Sequence, residues 1–295
     1  MSLPRILIIA GSDSGGGAGI QADIKTVTML GGHAMTAITA ITAQNTLGVT
    51  AVHPVPVDMV LAQIDAVVSD IGVDAVKIGM IGGPDIAHAV AGRLEAMSGV
   101  PVIFDPVMIS TSGSVLADTE TIAAFERLMD RAELVTPNAP ELAALMDERV
   151  ETVGEMELAA AQLVRRHGGA VLAKGGHLAP EAGEAPPLVH DLLVWEEGVV
   201  DYANPRIDTP HNHGTGCTLA SGVAAGLGAG LVLEDAVDRA EQFVRAALNA
   251  APALGGGNGP MGHGLGLTPF YHMLAVLEEE GWDAAALAAR WPRRG

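Results

Sequence analysis

Four side chains in this sequence are of the types needed to move a phosphoryl group, and each follows an apolar, strand-like run. They are Asp105, Asn138, Glu141 and Lys174. Transfer of a phosphoryl group requires neutralisation of its negative charge, which Mg²⁺ on oxygen ligands and a lysine ammonium can provide. Asp105 and Glu141 are therefore candidate metal ligands, Asn138 adds a neutral oxygen ligand, and Lys174 is a candidate group for binding an anionic phosphate. Taken singly, Asp105 before a proline is also typical of a strand-ending turn, and Glu141 of an acid in the first turn of a helix.

A second candidate site is Gly214-Thr215-Gly216-Cys217, which begins a long run of small, uncharged residues. Glycines leave backbone N–H groups accessible, and the first turn of a helix attracts anions, so this segment is predicted to cradle a phosphate. The same position predicts a depressed pKa for the Cys217 thiol, which would make a thiolate available as a base. From the residues alone, a glycine cap followed by an inert, buried cysteine is an equally good interpretation.

A third segment, residues 11–19, is rich in glycine and follows the first predicted strand. Gly17-Ala18-Gly19-Ile20-Gln21-Ala22 fits the GxGxxA form of a dinucleotide-binding turn. That turn requires an acidic residue after the next strand to bind a ribose, and Gln44 and Asn45 stand there instead. The P-loop pattern also fails, because glycine is missing before Lys25-Thr26. A tight strand-to-helix turn is an equally good interpretation of this segment.

The elements that must position these residues alternate between short β-rich runs and amphipathic helices. Strands are predicted over residues 5–10, 34–43, 73–78, 100–104, 134–136, 170–173, 188–195 and 199–202, the last two as a hairpin. Helices are predicted over residues 20–30, 57–71, 84–97, 119–131, 140–147, 155–167, 216–229 and 234–250, with two more from about residues 269 and 283. The alternation predicts an α/β fold with a mostly parallel sheet covered on both faces, and ligands beyond the carboxyl ends of its strands.

Composition and charge exclude several classes of protein. Of the 295 residues, 49% are hydrophobic and 3% aromatic, which is ample for an aliphatic core and rules out a disordered chain. The net charge of −19 argues against a nucleic-acid partner. The single cysteine, Cys217, excludes an intrachain disulfide and a multi-cysteine zinc site. The uncharged run from Thr209 to Leu233 lacks basic and aromatic flanks, so it is predicted to be a buried helix rather than a membrane span, and a cytoplasmic protein is expected.

Seven ordered motifs resemble the bacterial hydroxymethylpyrimidine/phosphomethylpyrimidine kinases of thiamine biosynthesis, within the ribokinase-like superfamily. They are residues 8–23, Thr42-Ala43-Gln44-Asn45-Thr46, Lys77-Ile78-Gly79-Met80, Asp105-Pro106-Val107-Met108, Thr136-Pro137-Asn138 with Glu141, Lys174-Gly175-Gly176-His177 and Gly214-Thr215-Gly216-Cys217. A last block, Gly259-Pro260-Met261-Gly262-His263, resembles the family's C-terminal Gly-Pro segment. The resemblance covers about residues 5–263 and is highly specific, because the motifs occur in one order.

The resemblance implies a ribokinase-like three-layer αβα fold and an ATP- and Mg²⁺-dependent kinase. Such an enzyme phosphorylates 4-amino-5-hydroxymethyl-2-methylpyrimidine to its monophosphate and then to its diphosphate. Gln44 is implied to pair with the aminopyrimidine, and an amide can indeed both donate to and accept from that edge. Together with the residue patterns, the resemblance predicts substrate binding by Gly11, Ala18, Asp23, Gln44, Met80 and Val107, nucleotide binding by Asn138, Lys174 and Thr215, metal ligation by Asp105 and Glu141, and catalysis by Cys217, Lys174, Gly214 and Gly216.

Other ribokinase-like enzymes carry aspartate as the catalytic base where Cys217 stands, so Cys217 is either a base or a residue that shapes the pocket. Asn212 departs from the family, which usually has threonine there, and this bears on local nucleotide contacts. Two alternatives use the same residues: a pyridoxal/pyridoxine-type kinase on this scaffold and a non-catalytic pyrimidine-binding protein. A nicotinamide-dependent enzyme is disfavoured by Gln44 and Asn45.

We expect residues 1–263 to form the kinase domain, because no linker or repeat divides them. Residues 264–295 are expected to form a C-terminal helical extension packed on the same domain. Trp282 and Trp291 in this extension suggest packing or a dimer contact, and the protein is expected to be a homodimer.

Overall fold

The computed structural model describes residues 3–266, apart from residues 112, 181, 182 and 184. The chain is an α/β protein whose helices lie on both faces of one large sheet, which confirms the predicted fold class. The predicted helices from residues 269 and 283, and nearly all of the predicted extension over residues 264–295, lie outside the described residues.

Among the described residues, nine strands form a single sheet of mostly parallel strands. They are β1 (Arg5–Asp13), β2 (His33–Asn45), β3 (Gly48–Pro54), β4 (Ala75–Ile78), β5 (Val102–Phe104), β6 (Leu134–Val135), β7 (Ala170–Lys174), β8 (Leu188–Trp195) and β9 (Gly198–Pro205). Their spatial order is β3-β2-β1-β4-β5-β6-β7-β8-β9. The pairs from β2 through β7 are parallel. The edge strand β3 and the hairpin β8–β9 pair antiparallel, as predicted for the hairpin.

In the part of the chain that the structure describes, eight helices cover the two faces of this sheet. They are α1 (Gly19–Met29), α2 (Val57–Asp70), α3 (Pro84–Leu94), α4 (Thr119–Met129), α5 (Ala139–Met146), α6 (Val153–His167), α7 (Thr215–Gly228) and α8 (Leu233–Asn249). Helices α2 to α6 pack into one hydrophobic core, and α1, α7 and α8 pack into the other. The molecule is therefore a three-layer αβα sandwich, as the resemblance implied.

The side-chain alternation of β1 shows why both faces are covered. Leu7 and Ile9 point into the core under α2 to α6, whereas Ile6 and Ile8 point into the core under α1, α7 and α8. All four are fully buried. A strand that is apolar on both sides can be stable only inside a sheet with helices above and below it.

Two glycines of α7 let this helix approach α8 closely. A Cβ at Gly222 would lie 2.8 Å from the Cβ of Ala240, and one at Gly226 would lie 2.7 Å from the Cβ of Ala236. Because the backbones meet at these small residues, α7 is buried along most of its length. The uncharged run that contains it is thus a buried helix, as predicted, with its first turn at the carboxyl edge of the sheet. Among the described helices, none combines the length and the apolar character that a membrane span requires.

The sequence patterns missed β3 and the carboxyl ends of β1 and β2. Most residues of β3 are exposed, so it has no apolar run to reveal it, and it forms because it pairs with residues 40–45 of β2. Strand β1 continues past its apolar run to Asp13, through an irregularity in its pairing with β2 between Ala10 and Ser12. Both extensions bring polar residues to the carboxyl edge of the sheet.

Candidate functional site

A cavity of about 710 Å³ lies beyond the carboxyl ends of the parallel strands. It extends from the loops after β1 and β2, past the first turn of α7, to β8, β9 and α8. Almost all the residues singled out in the sequence line it: Gly11, Ala18, Gln44, Met80, Asp105, Val107, Asn138, Glu141, Lys174, Gly214, Thr215, Gly216 and Cys217. The exception is Asp23, which lies outside the lining.

Lys174 and Asp105 meet at the middle of the cavity. Lys174 ends β7, Asp105 follows β5, and their Nζ and Oδ1 atoms are 2.8 Å apart. Thr136 also donates to Asp105 Oδ1, at 3.1 Å. Burial opposes the charge of Lys174, but the carboxylates of Asp105 and Glu141 outweigh it and raise the pKa of this lysine. Lys174 is therefore a permanent cation at the centre of the site.

The first turn of α7 lies directly beside this ion pair. A Cβ at Gly216 would come within 3.0 Å of Lys174 Nζ and 3.6 Å of Asp105 Oδ2. Glycine at this position therefore lets the ammonium group approach the backbone N–H groups that begin the helix. A cation and a helix N-terminus on one point attract an anion from two sides.

Gly214 caps α7 in a left-handed conformation, with φ of 90°. A Cβ there would overlap the carbonyl oxygen of Gly17, so the loop after β1 and the cap of α7 are in direct contact at two glycines. A Cβ at Gly17 would in turn lie 2.6 Å from Cδ2 of His213. The two glycine-rich segments thus form one surface, and the GxGxxA turn belongs to it rather than to a dinucleotide-binding unit.

Glu141 and Asn138 form a capping box at the start of α5. Asn138 Oδ1 accepts from the Glu141 N–H at 2.9 Å, and Glu141 Oε2 accepts from the Asn138 N–H at 2.8 Å. Burial, reinforced by Asp105 and opposed by Lys174, raises the pKa of Glu141 to about 7. The cavity therefore holds two carboxyl groups whose negative charges repel each other.

These two carboxyl groups fit a partial Mg²⁺ site. Mg²⁺ takes one or two carboxylates and completes its shell with water and phosphate oxygens. A divalent cation bound by Asp105 and Glu141 would offset their mutual repulsion, which adds to burial in raising the pKa of Glu141. Within the described part of the chain, no group of three or more His, Cys, Asp or Glu residues could hold a metal ion. The site therefore suits a metal that arrives with a phosphate rather than one held by the protein alone.

Cys217 lines the cavity one residue beyond Gly216, but its thiol does not have the predicted depressed pKa. Burial raises the pKa of Cys217 to about 11; Lys77 opposes this change, while Asp23 and Asp105 add to it. The sequence-based expectation considered the helix N-terminus and omitted the loss of solvent and the nearby carboxylates. The thiol is therefore neutral at physiological pH.

Asp23 is fully buried beneath the cavity and does not contact it. Both its carboxylate oxygens lie 3.0 Å from Lys77 Nζ, and Ser221 donates to Oδ1 at 2.6 Å. Both side chains of the ion pair are completely inaccessible to solvent. The position of Asp23 does not support its predicted direct contact with a substrate. Its structural place is in an ion pair that packs α1 and α7 against β4.

At the end of the cavity near β1 and β2, four polar side chains are connected. Gln44 Oε1 lies 3.1 Å from Thr42 Oγ1, and Gln44 Nε2 lies 3.1 Å from His213 Nε2. His213 Nε2 also lies 3.1 Å from Asp13 Oδ2. This end can present both hydrogen-bond donors and acceptors to a planar polar ligand. Sequence reasoning singled out Gln44 but gave no role to Asp13, Thr42 or His213, although Asp13 and Thr42 stand inside the quoted motifs and His213 directly precedes one of them.

The opposite end, near β8 and α8, holds a carboxyl pair that sequence reasoning missed. Burial, with Asp191 beside it, raises the pKa of Glu241 to about 9, and burial also raises the pKa of Asp191. Asp191 Oδ1 accepts from the N–H of Gly175 at 2.7 Å, directly after Lys174. The apolar side chains around this pair are Val189, Ile207, Val244 and Leu248. Nothing in the sequence distinguished these two acids from surface acids, because only the fold buries them.

Comparison with protein families gives one match that covers most of the chain. The model of the phosphomethylpyrimidine kinase family matches residues 13–262. The hydroxymethylpyrimidine/phosphomethylpyrimidine kinase of Rhizobium meliloti is 47% identical over 262 residues, which are 87% of this chain and 96% of that protein. The enzyme of the same name from Bacillus subtilis is 43% identical over 264 residues, covering 89% of this chain and 96% of that protein.

Some relatives are considerably longer than this chain. The match covers 35% of the thiamine biosynthesis multifunctional protein ThiED of Corynebacterium efficiens, at 43% identity. It covers 52% of the bifunctional ThiED protein of Geobacter sulfurreducens, also at 43% identity. This chain therefore corresponds to one part of those proteins.

Solved structures of two kinds of kinase share this fold. Pyridoxal kinase of Bacillus subtilis in complex with ADP matches with a TM-score of 0.80 and 33% identity, over 89% of this chain and 98% of that one. Phosphomethylpyrimidine kinase of Clostridium difficile matches with a TM-score of 0.72 and 36% identity, over 83% and 99% of the two chains. Pyridoxal kinase of Staphylococcus aureus with AMP-PCP and pyridoxal matches with a TM-score of 0.79 and 30% identity, over 90% and 94%.

Proposed function

Because this chain belongs to the phosphomethylpyrimidine kinase family of phosphotransferases, we propose that it transfers the γ-phosphoryl group of ATP to 4-amino-5-hydroxymethyl-2-methylpyrimidine and then to the resulting monophosphate. The observation that carries this proposal is the convergence of Lys174, Asp105 and the first turn of α7 on one point of the cavity. A cation and oriented N–H groups at one point are what a phosphoryl group in transfer requires.

The nucleoside of ATP is proposed to bind at the end of the cavity near β8 and α8. This end is lined by apolar side chains, and its carboxyl pair is only partly ionised because Glu241 holds its proton at neutral pH. The apolar side chains at this end can pack against a purine base, and Arg206 and Arg245 line the same end. Two of the matching kinases have been solved with ADP or AMP-PCP, which supports an adenine nucleotide as the donor.

The pyrimidine is proposed to bind at the opposite end, with Gln44 on its polar edge. The 4-amino group and the neighbouring ring nitrogen offer one donor and one acceptor, which match the oxygen and nitrogen of an amide. Gly11, Ala18, Met80 and Val107 line the same end and supply close backbone and apolar contacts. A pyrimidine held there directs its substituents toward the first turn of α7.

The transfer itself needs few protein groups. The bond from the γ-phosphorus to the oxygen that bridges it to the β-phosphate breaks, a bond to the hydroxymethyl oxygen forms, and ADP leaves. Lys174 and the N–H groups at Gly216 and Cys217 stabilise the charge on the three oxygens in transfer. In a loose transition state the hydroxyl proton leaves late, so a strong base is not required. In the second reaction a phosphate oxygen attacks, and no hydroxyl proton has to leave.

Mg²⁺ is proposed as the metal, with Asp105 and Glu141 as its protein ligands and Asn138 beside them. When bound it would neutralise phosphate charge. The protein's own contribution is to hold both carboxyl groups at the cavity surface, Glu141 through its capping box and Asp105 through Lys174 and Thr136. Ionisation of Glu141 then depends on the cation, because its pKa lies close to neutral pH.

Cys217 is proposed to shape the acceptor pocket rather than to act as a base. A thiol with a pKa of about 11 is almost entirely protonated at neutral pH and cannot take a second proton. Its position beside Gly216 still places it against the group that receives the phosphoryl. Thr215 and Gly214 are proposed to act through the backbone, by building the cradle at the start of α7.

Three broader features complete the proposal. The exposed apolar side chains Ile41, Leu47 and Val52 on the β2–β3 ribbon support a homodimer formed through this surface. Use of ATP supports a cytoplasmic protein. Residues 1–263 are proposed to suffice for the chemistry, because the cavity is lined by residues up to Asn258.

An ADP-release assay with three acceptors tests the proposal. ADP release is measured with the hydroxymethylpyrimidine, with its monophosphate and with pyridoxal, and mass spectrometry identifies the products. We expect both pyrimidines to react and both phosphorylated products to appear, with Lys174→Ala as a control of strongly reduced activity. Turnover of pyridoxal alone would replace the proposal with a pyridoxal-type kinase, which the structural similarity to pyridoxal kinases makes the natural competitor. Binding of pyrimidine without ADP release would indicate a non-catalytic protein.

A further inference from the structure

Four polar side chains, Asp13, His213, Gln44 and Thr42, are connected in a row by hydrogen-bonding contacts at one end of the cavity. Asp13 is 3% exposed and His213 is 7% exposed, so neither can rely on water for its hydrogen bonds. The hydrogen bonds that each of these side chains can make therefore depend on the protonation of its neighbour. Gln44 stands in the middle of this row and faces the cavity.

Asp13 determines the state of the His213 ring. Its Oδ2 accepts from the N–H groups of Gly17 at 3.0 Å and Ala18 at 2.8 Å, and its Oδ1 accepts from that of Gly15 at 2.7 Å. Burial acts to raise the pKa of Asp13, but the hydrogen bonds from His213, Ala18 and Gly15 outweigh it and lower the pKa. An ionised carboxylate only accepts, so the proton between Asp13 and His213 is carried by Nε2 of the ring.

The other ring nitrogen is satisfied in that state. His213 Nδ1 lies 3.1 Å from Thr111 Oγ1. A hydroxyl can donate or accept, so it adapts to whichever form the ring takes. Among the ring's partners in the described part of the chain, Asp13 alone can only accept, so it selects the tautomer.

The protonated Nε2 then determines which end of the Gln44 amide faces it. The two ends of an amide have the same shape, and their hydrogen-bond partners decide which is oxygen and which is nitrogen. The structure places Gln44 Nε2 toward His213, where either two donors face each other or Asp13 faces a bare ring nitrogen across 3.1 Å. Hydrogen bonding therefore favours the amide turned by 180°. With the oxygen toward His213, Nε2–H is shared between the carboxylate and the amide.

The opposite end of the amide selects the same orientation. Thr42 Oγ1 lies 3.0 Å from the carbonyl oxygen of Ser12, which only accepts. The hydroxyl has one proton, which can go to Ser12 or to the Gln44 Oε1 that the structure places 3.1 Å away, but not to both. When it donates to Ser12, it can accept from the nitrogen of an amide turned by 180°. In that orientation the amide nitrogen faces Thr42. Two acceptor-only anchors, the Asp13 carboxylate and the Ser12 carbonyl, lie at the two ends of the row and agree.

We propose that Asp13, His213 and Thr42 are positioning residues that lock the Gln44 amide with its oxygen toward His213, and that this orientation decides which edge of a heterocycle the site accepts. The inference rests on the proposed function, because it takes Gln44 to pair with the pyrimidine. The locked amide offers a ligand one lone pair on the His213 side and one N–H on the Thr42 side. Only an edge with its donor toward His213 and its acceptor toward Thr42 fits.

This order also orients the reacting group. In the hydroxymethylpyrimidine, the 4-amino donor lies between the ring nitrogen and the carbon that carries the hydroxymethyl arm. A 4-amino group on the His213 side therefore turns the hydroxymethyl arm toward the residues that follow His213, which are the phosphate cradle at Gly214 to Cys217. The opposite amide orientation would turn the arm away from the cradle.

The test compares two ligands whose edges are reversed. The 4-oxo analogue of the hydroxymethylpyrimidine carries an acceptor at position 4 and an N–H at the neighbouring ring nitrogen. Binding of both compounds is measured by calorimetry, without nucleotide, to the wild type and to His213→Leu, His213→Gln and Thr42→Val. Leucine removes the lock at one end, valine removes it at the other with little change in shape, and glutamine keeps an N–H donor near the position of Nε2.

We expect the wild type and His213→Gln to favour the amino compound by about 10- to 100-fold, the effect of leaving buried hydrogen-bonding groups unpaired. His213→Leu and Thr42→Val should each reduce this ratio by about fivefold or more, chiefly by improving relative binding of the oxo analogue. A residue that served only the fold would weaken both ligands together and leave the ratio unchanged.

The outcomes separate the two proposals. An unchanged ratio in folded His213→Leu, or in Thr42→Val should the leucine variant not fold, would overturn the lock while leaving the proposed function standing. A wild type that binds neither compound would overturn the proposed function and the lock together. A wild type that binds both equally would overturn the lock alone.

Discussion

The thiol of Cys217 should be unreactive at neutral pH, although it stands at a helix N-terminus and lines a cavity. Burial raises its pKa to about 11, and Lys77 does not fully compensate. At pH 8 a thiol of this pKa is ionised to about 0.1%, whereas an ordinary cysteine with a pKa near 8.5 is ionised to about 25%. Because the thiolate is the reactive form, alkylation should be about 200-fold slower than for a free cysteine.

The assay uses the fact that the chain has a single cysteine. Iodoacetamide incorporation is followed by intact-protein mass spectrometry between pH 7 and pH 9.5, with a small thiol as the reference and Cys217→Ser as the blank. Restricted access would also slow the reaction, but it would not change the dependence on pH. The logarithm of the rate should therefore rise by about one per pH unit across the whole range, without a plateau.

A rate that levels off below pH 9 would refute this reasoning. It would show that the dipole of α7 and the charge of Lys77 outweigh burial and the carboxylates, and it would restore Cys217 as a candidate base. If the thiol is neutral and only shapes the pocket, Cys217→Ala should reduce the rates of the two phosphorylations by similar factors. A base would matter only in the first reaction, because only that reaction has a hydroxyl proton to remove. A loss confined to the first reaction would point to a base.

Three further perturbations test the centre of the site and its support. Lys174→Ala removes the ammonium group that lies 2.8 Å from Asp105. We expect steady-state assays to show kcat reduced about 100-fold with little change in KM for the pyrimidine, because the contact of the ammonium with the phosphoryl group strengthens during transfer. A wild-type kcat at saturating ATP would contradict this. Burial and Asp105 raise the pKa of Glu141 from 4.5 to about 7, so the folded state holds this proton more tightly than the unfolded chain does. The free energy of unfolding should therefore fall as pH rises from 5 to 8. In urea unfolding without Mg²⁺, the wild type should lose up to about 3 kcal/mol relative to Glu141→Gln over this range. Parallel pH curves for the two proteins would exclude the raised pKa of Glu141. Lys77→Met leaves the fully buried Asp23 without its ion-pair partner. It should lower the free energy of unfolding in denaturant by about 3–5 kcal/mol, and adding Asp23→Asn should restore much of this loss. A Lys77→Met variant as stable as the wild type would disprove a charged pair.

The sequence was sufficient to predict the class of fold and the line of residues along the cavity. Apolar runs reveal strands that are buried on both faces, and the parallel arrangement brings their carboxyl ends to one edge. That is why Asp105, Asn138 and Lys174, which are widely separated in the chain, could be placed together beforehand. The family comparison confirms the kinase class that their chemistry suggested.

What the sequence could not supply depends on burial and on pairing between distant residues. Most residues of strand β3 are exposed, and the strand forms because it pairs with β2, so no local sequence pattern predicts it. The pKa of Cys217 depends on solvent exclusion and on carboxylates from other elements, so the helix N-terminus alone was misleading. Asp23 stands in a motif beside pocket residues, yet α1 turns its side chain away from the cavity into the ion pair with Lys77.

The contact between Gly17 and Gly214 limits how such a protein could change its substrate over generations. Neither position can acquire a side chain without pushing apart the loop after β1 and the cap of α7, and with them the phosphate cradle. Met80, by contrast, lies against Gly11 through its flexible thioether, and Val107 faces the same end of the cavity. Descendants that adopt a different ring as acceptor are therefore expected to keep both glycines and to vary the side chains opposite them. The side of the pocket formed by the two glycines keeps the geometry needed for phosphoryl transfer, and the side formed by Met80 and Val107 can change to fit a different acceptor.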